Sequence, residues 1–174
     1  MKVSLFTFGC KLNFAETSTI SRKFKSQGFD IVDFNSKADV YIINSCSVTE
    51  NADKECKKIV KKIKNKNPNS IVGVIGCYAQ LKPEEISNID GVNVVLDAKE
   101  KFNIPEHINK IINKKQKKLY IKSDIKTTKS FNSSYSINER TRSFLKIQDG
   151  CDYKCSYCTI PLARGRSRCD SIEN

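Results

Sequence analysis

Short apolar runs alternate along the first hundred positions with segments whose apolar residues recur every three or four places. The runs "KVSLFTF", "ADVYIINS", "SIVGVIG" and "GVNVVLD" predict strands, and "FDIVDF" a shorter one. Between them, residues 16–27 predict a first helix with Ile20 and Phe24 on one face, ended by Gly28. A second helix is expected from about Glu50 to Lys66, capped by Ser47 or Thr49, with Ala52, Cys56, Ile59, Val60 and Ile63 as its buried stripe. Pro83 opens a short helix, and residues 103–113 form an amphipathic one.

Strands alternating with helices predict an α/β fold, an open parallel sheet with helices on both faces. This first unit spans residues 1–113. Residues 114–138 are polar and basic and read as a linker, with one short strand candidate, Leu119 to Ile121. A new strand is expected at Phe144, running into a cysteine-rich loop within a second unit, residues 139–174.

Charge separates the two parts. The net charge of the chain is +12, of which residues 1–100 contribute +3 and residues 101–174 contribute +9. A basic second half is the distribution expected of a surface that meets nucleic acid, although lysine-rich composition alone also produces it. The opening "MKVSLFTFGC" lacks the features of a signal peptide, and no apolar run approaches the roughly 20 residues of a membrane span. Eight cysteines here do not resemble a secreted disulfide framework and point to ligands in a reducing cytoplasm.

Six of those cysteines form two triads. Cys10, Cys46 and Cys77 are separated by 35 and 30 residues, yet each follows a predicted strand within two positions. In a parallel sheet such strand ends lie along one edge, so three thiolates can converge there. Small cysteines packing strand ends would give the same pattern. Cys56, in mid-helix on the apolar stripe, reads as core. Cys151-x3-Cys155-x2-Cys158 is local and flanked by polar residues, a spacing suited to an iron–sulfur cluster or zinc. Cys169 and His107, the only histidine, are the available fourth ligands for zinc. Lys146, Lys154, Arg164, Arg166 and Arg168 are candidates for contact with phosphate or with a carboxylate, and pairing with Asp149, Asp152 or Asp170 is the structural alternative. Gly150 and Gly165 read as turn glycines framing the loop.

The three-cysteine loop, with Tyr157 directly before its last cysteine, resembles the signature of the radical S-adenosylmethionine superfamily. Together with "TFGCKLNFAE", "INSCSVT", "GCYAQ" and "KIQDGCDYKCSYCTIPLARGRSR", it resembles the methylthiotransferases. Within them it is similar to the branch acting on N6-threonylcarbamoyladenosine at position 37 of tRNA. The resemblance covers nearly all of residues 2–174 and is weakest in the linker.

The resemblance implies two [4Fe–4S] clusters and S-adenosyl-L-methionine as cofactors. Cys151, Cys155 and Cys158 would hold the radical cluster, with Tyr157 near the adenine of the cofactor. Cys10, Cys46 and Cys77 would hold the auxiliary cluster, which supplies or relays sulfur. The implied reaction installs a methylthio group at C2 of adenine, a C–H bond without useful acidity that radical chemistry can open. Implied partners are tRNA, a reducing electron donor and a sulfur donor, in the cytoplasm and without a membrane. The isopentenyladenosine branch and the branch modifying a ribosomal protein are the alternatives within the family. A non-enzymatic metal-binding nucleic-acid module is the alternative outside it. Family members continue into the rest of a partial (β/α) barrel and a β-rich RNA-binding domain. This chain is therefore expected to behave as an inactive N-terminal fragment, with its loop 144–174 disordered or aggregation-prone.

Overall fold

The first strand, β1 (Lys2–Phe8), hands directly to α1 (Lys11–Ser26), and the same strand–helix alternation builds the rest of the sheet. The computed structural model describes residues 1–46, 50–137 and 142–173, apart from the side chains of 50–53. After α1 come β2 (Asp30–Ile31), β3 (Val40–Ser45), α2 (Glu50–Lys66) and β4 (Ile71–Gly76). Two short helices follow, α3 (Cys77–Leu81) and α4 (Pro83–Ser87), then β5 (Val94–Leu96), α5 (Ile104–Lys114) and β6 (Leu119–Ile121). All six strands are parallel, in the order β2-β1-β3-β4-β5-β6. The chain is thus an α/β protein with a helix-flanked parallel sheet.

Alternation along β3 explains how the sheet buries both faces. Val40 and Ile42 point to the side covered by α1 and α5, where they meet Ile20, Phe24, Ile104 and Ile108. Tyr41 and Ile43 point to the other side, against Cys56, Val60 and Ile63 of α2 and Tyr78 and Ile86 beyond β4. Cys56 is fully buried there, the core role its place on the apolar stripe indicates. Each fully buried side chain of this size is worth about 1.5–3 kcal/mol of transfer free energy, which makes the two-faced sheet the source of the unit's cohesion.

Several elements differ from expectation. The first helix begins at Lys11 rather than at residue 16, because its N-terminal half buries polar side chains, Asn13 and Glu16, that apolar periodicity does not register. Helix α3 is too short to leave a periodic signal. Leu119–Ile121 is the sixth strand of the sheet, paired with β5. The strand expected at Phe144 is only β8 (Leu145–Lys146), antiparallel to β7 (Ser134–Tyr135). The expected caps Ser47 and Thr49 lie outside the described residues, as does the side chain of Ala52.

The sheet order makes the site. The chain leaves β1 toward β2 on one side and returns to β3 on the other, so the connections diverge between β1 and β3. In open α/β sheets ligands bind at such a switch point, outside the carboxyl ends of the strands.

Candidate metal centre and the charge cluster behind it

Strand register brings the first triad to that edge. Phe8 lies opposite Ser45, and Ser45 opposite Gly76. Cys10 therefore follows β1 by two residues, while Cys46 and Cys77 directly follow β3 and β4, on three adjacent strands spaced about 4.8 Å apart. The thiol of Cys77 is hydrogen-bonded to Cys46. Cys10 is the N-cap of α1 and donates through Sγ to Asn13 Oδ1 at 3.6 Å. Gly9 lies so close to the second strand end that a Cβ there would stand 2.9 Å from Cys46 Cβ and 2.7 Å from Asn13 Nδ2. As the side chains stand, no three His, Cys, Asp or Glu among the described residues close around one point. Three soft thiol donors on adjacent strand ends, backed by a glycine that keeps the space clear, fit an iron–sulfur group better than a hard cation.

The second triad lies on a loop pinned at its neck. Asp149 and Arg168 exchange both backbone hydrogen bonds at 2.8 Å, and the Cys151 N–H donates to the Gly165 carbonyl at 3.1 Å. Inside the neck, the Cys158 N–H donates to the Cys155 carbonyl at 3.1 Å. Cys155 is exposed, Cys151 and Cys158 are half-buried, and Tyr157 is 90% exposed. Gly150 and Gly165 both take positive φ there, 75° and 76°. Cys169 is exposed, and His107 pairs with Glu100 at 3.0 Å on the flank of α5.

The basic candidates divide sharply. Lys154 and Arg166 are exposed. Lys146 and Arg164, expected to be available to phosphate or cofactor, are instead turned inward and buried. Arg164, the last residue of α6 (Ile160–Arg164), donates through Nη1 to Glu16 Oε1 at 3.0 Å and to Asp149 Oδ1 at 2.9 Å. Its Nη2 donates to Asn13 Oδ1 at 2.7 Å. Lys101 Nζ meets Glu16 Oε2 at 2.7 Å, and Lys146 Nζ lies 3.2 Å from Glu16 Oε1 and 2.9 Å from Asp149 Oδ2. Arg168 stands 3.6 Å from Asp149 and donates to the carbonyls of Arg164 and Arg166.

This cluster explains why the loop segment packs on the first unit rather than hanging free. Glu16 lies on α1, whereas Lys146, Asp149 and Arg164 lie on the segment around the cysteine loop. Arg22 reinforces the join by donating to the Tyr135 carbonyl at 2.8 Å and stacking over that ring. Glu16 and Arg164 are the residues that sequence reasoning missed as partners. A lone glutamate in "CKLNFAE" carries no signal of burial.

The ionisation states follow from the surroundings. Burial alone would raise the Glu16 carboxyl, but Lys101, Arg164 and Lys146 overcome it and hold the group far below the carboxylate range. Burial opposes Asp149 likewise, and Lys101, Arg164 and Lys146 again prevail and lower it. Burial pulls Lys101 down against the attraction of Glu16. Cys77 is pushed well up by its hydrogen bond with Cys46 and by burial, against the opposing pull of Arg164 and Lys101. Because both carboxyls are lowered in the folded chain, their stabilisation is complete above the ordinary range and is lost as pH falls through it toward the folded values. The midpoint of urea unfolding is therefore expected to fall as pH drops from 7 to 3. A midpoint independent of pH would show that the cluster contributes no ionic stabilisation.

Similarity to known proteins gives the class: the chain belongs to the radical S-adenosylmethionine methylthiotransferase family. Residues 2–97, more than half of the chain, match the model of the uncharacterized protein family UPF0004. Over 94% of its length the chain is 38% identical to the threonylcarbamoyladenosine tRNA methylthiotransferase MtaB of Thermotoga maritima, covering 36% of that protein. With MtaB of Aquifex aeolicus the identity is 34% over 99% of the chain and 42% of the relative. A tRNA-2-methylthio-N(6)-dimethylallyladenosine synthase of Clostridium botulinum is 29% identical over 97% of the chain and 39% of its own length. The chain thus spans about two fifths of the length of these relatives. Among the described residues, no helix is long and apolar enough to cross a membrane.

Proposed function

We propose that this chain forms the N-terminal part of a tRNA methylthiotransferase that adds a methylthio group to C2 of N6-threonylcarbamoyladenosine beside the anticodon. The observation that carries this reading is the pair of cysteine triads in family order, one at the switch point of the sheet and one on the pinned loop. Higher identity to the threonylcarbamoyladenosine enzymes, 34–38% against 29% for the dimethylallyladenosine synthase, supports the substrate branch.

In this proposal residues 1–113 form the methylthiotransferase α/β domain, 114–138 join it to the rest, and 139–174 begin the radical domain. Cys10, Cys46 and Cys77 hold the auxiliary [4Fe–4S] cluster, and Cys151, Cys155 and Cys158 hold the radical one. Bound there with S-adenosyl-L-methionine, the clusters supply reductive cleavage of the sulfonium and delivery of sulfur. The protein's own part is to hold thiolates, leave one iron of each cluster free of cysteine, and position the nucleotide. Exposed Tyr157 offers a ring face for the cofactor's adenine, and exposed Lys154 and Arg166 offer charge to RNA phosphate or to the cofactor carboxylate. The electron and sulfur donors are cytoplasmic proteins or small molecules in this reading.

The test has two arms. Anaerobic reconstitution of the chain is expected to bind about eight irons and as many acid-labile sulfides, falling to about four when either triad is replaced by alanine. Zinc without sulfide would overturn the cluster assignment. Disruption of the coding gene should abolish the 2-methylthio group on threonylcarbamoyladenosine in bulk tRNA, read by nucleoside mass spectrometry. Loss of the group from dimethylallyladenosine instead would move the enzyme to the other branch.

A further inference from the structure

The buried cluster behind the first triad is not electrically balanced. Glu16 and Asp149 face Lys101, Lys146, Arg164 and, at the rim, Arg168, so four cations share two carboxylates. The side chains of Glu16 and Lys146 are fully buried, and those of Lys101 and Arg164 are 3% and 6% exposed. Excess charge withheld from water is costly unless an anion offsets it. Among the described residues, the thiol of Cys77 at the end of β4 is a further neighbour of Arg164 able to become anionic. Helix α6, which ends at Arg164, packs on α3, whose first residue is Cys77. Asn13 Oδ1 accepts from both Arg164 Nη2 and Cys10 Sγ, and Asn13 Nδ2 donates at 3.3 Å to the carbonyl of Ser45, the residue before Cys46. Arg164 thus touches the first triad through Asn13 and faces it through α3.

We propose that Arg164, backed by Lys101, is a positioning residue for the first triad. Its buried positive charge offsets the negative charge of a thiolate-held iron–sulfur group at Cys10, Cys46 and Cys77, and favours the reduced state of that group. The charge comes from the far side of the second triad, so the segment carrying the radical loop completes the electrostatics of the first site. The inference rests on the cluster assignment proposed above. It adds a residue that matches no cysteine pattern.

The test uses the full 174-residue chain with Cys151, Cys155 and Cys158 replaced by serine, so that one cluster remains. The midpoint potential is measured by dye-mediated titration with electron paramagnetic resonance, in that parent and in two near-isosteric variants. Arg164→Gln removes a cation and Glu16→Gln removes an anion. At a poise where the parent is half reduced, the ratio of reduced to oxidised cluster should fall about tenfold in Arg164→Gln, a shift of about 59 mV to the negative for one electron. In Glu16→Gln it should shift to the positive, and Arg164→Lys should restore most of the parent value. A merely structural cluster moves both glutamine variants the same way or neither, and either result overturns the proposal. If Arg164→Gln does not fold, the positive shift of Glu16→Gln decides alone. A parent that binds no iron and sulfide would overturn the cluster assignment itself. A loaded parent with unshifted variants would overturn only the role of Arg164.

Discussion

Glu16→Ala is expected to be the most destabilising single substitution on α1, lowering the unfolding free energy by about 3–5 kcal/mol. The carboxylate is wholly buried, with Lys101, Lys146 and Arg164 all within 3.2 Å of its oxygens. Its removal leaves Asp149 as the remaining carboxylate for these cations inside the protein. Water cannot solvate them without opening the join between α1 and the loop segment. For a protein whose total stability is of order 5–15 kcal/mol, this is a large fraction, and it corresponds to a fall in Tm of about 10 °C for a chain of this size. Urea unfolding of parent and variant measures it, and hydrogen exchange should show α6 and β8 losing protection first. Glu84→Ala is the contrast. That glutamate also meets a lysine, Lys122 at 2.7 Å, but the pair is exposed to solvent, and the substitution should leave the unfolding midpoint unchanged within error. Equal losses from the two would show that burial does not set the value of these ion pairs.

Gly76→Ala is expected to strike both stability and the candidate metal centre. Gly76 closes β4 immediately before Cys77 with φ 99° and ψ −164°, a region of backbone space essentially confined to glycine. A Cβ there would stand 2.2 Å from the Ser45 carbonyl oxygen and 2.6 Å from Asn44 Oδ1. Ser45 is its partner in the sheet, so neither strand can yield without breaking the register that sets Cys46 beside Cys77. Strain and overpacking together should cost about 3 kcal/mol or more. The measurement is thermal unfolding alongside iron content after anaerobic reconstitution, with the second triad removed. Loss of stability with full iron content would show that the first triad tolerates displacement of a strand end.

The sheet is legible in the sequence because its central strands are buried on both faces and read as unbroken apolar runs; "VYIINS" and "IVGVIG" are the plainest. The cysteines are legible because strand ends can be counted. What is not legible is polar burial. The front half of α1 hides Asn13 and Glu16, whose partners include Lys146 and Arg164 in the basic second half of the chain. Lys146 and Arg164 illustrate the same limit, since a positive residue in a glycine-flanked loop reads as a surface contact. Pairing with nearby Asp149 is within reach of the sequence, and it is found for both; only tertiary placement shows that their second counter-ion, Glu16, is more than a hundred residues away.

That separation orders events during synthesis. Lys101, just before α5, can reach Glu16 while the rest of the chain is still being made, but Arg164 follows Glu16 by 148 residues. The β1–β3–β4 register can form from nearer segments, well before the last cation leaves the ribosome. Closing so long a loop is slow compared with local pairing. The nascent domain therefore assembles around a glutamate still short of its partners, and docking of α6 is the late step that seals α1.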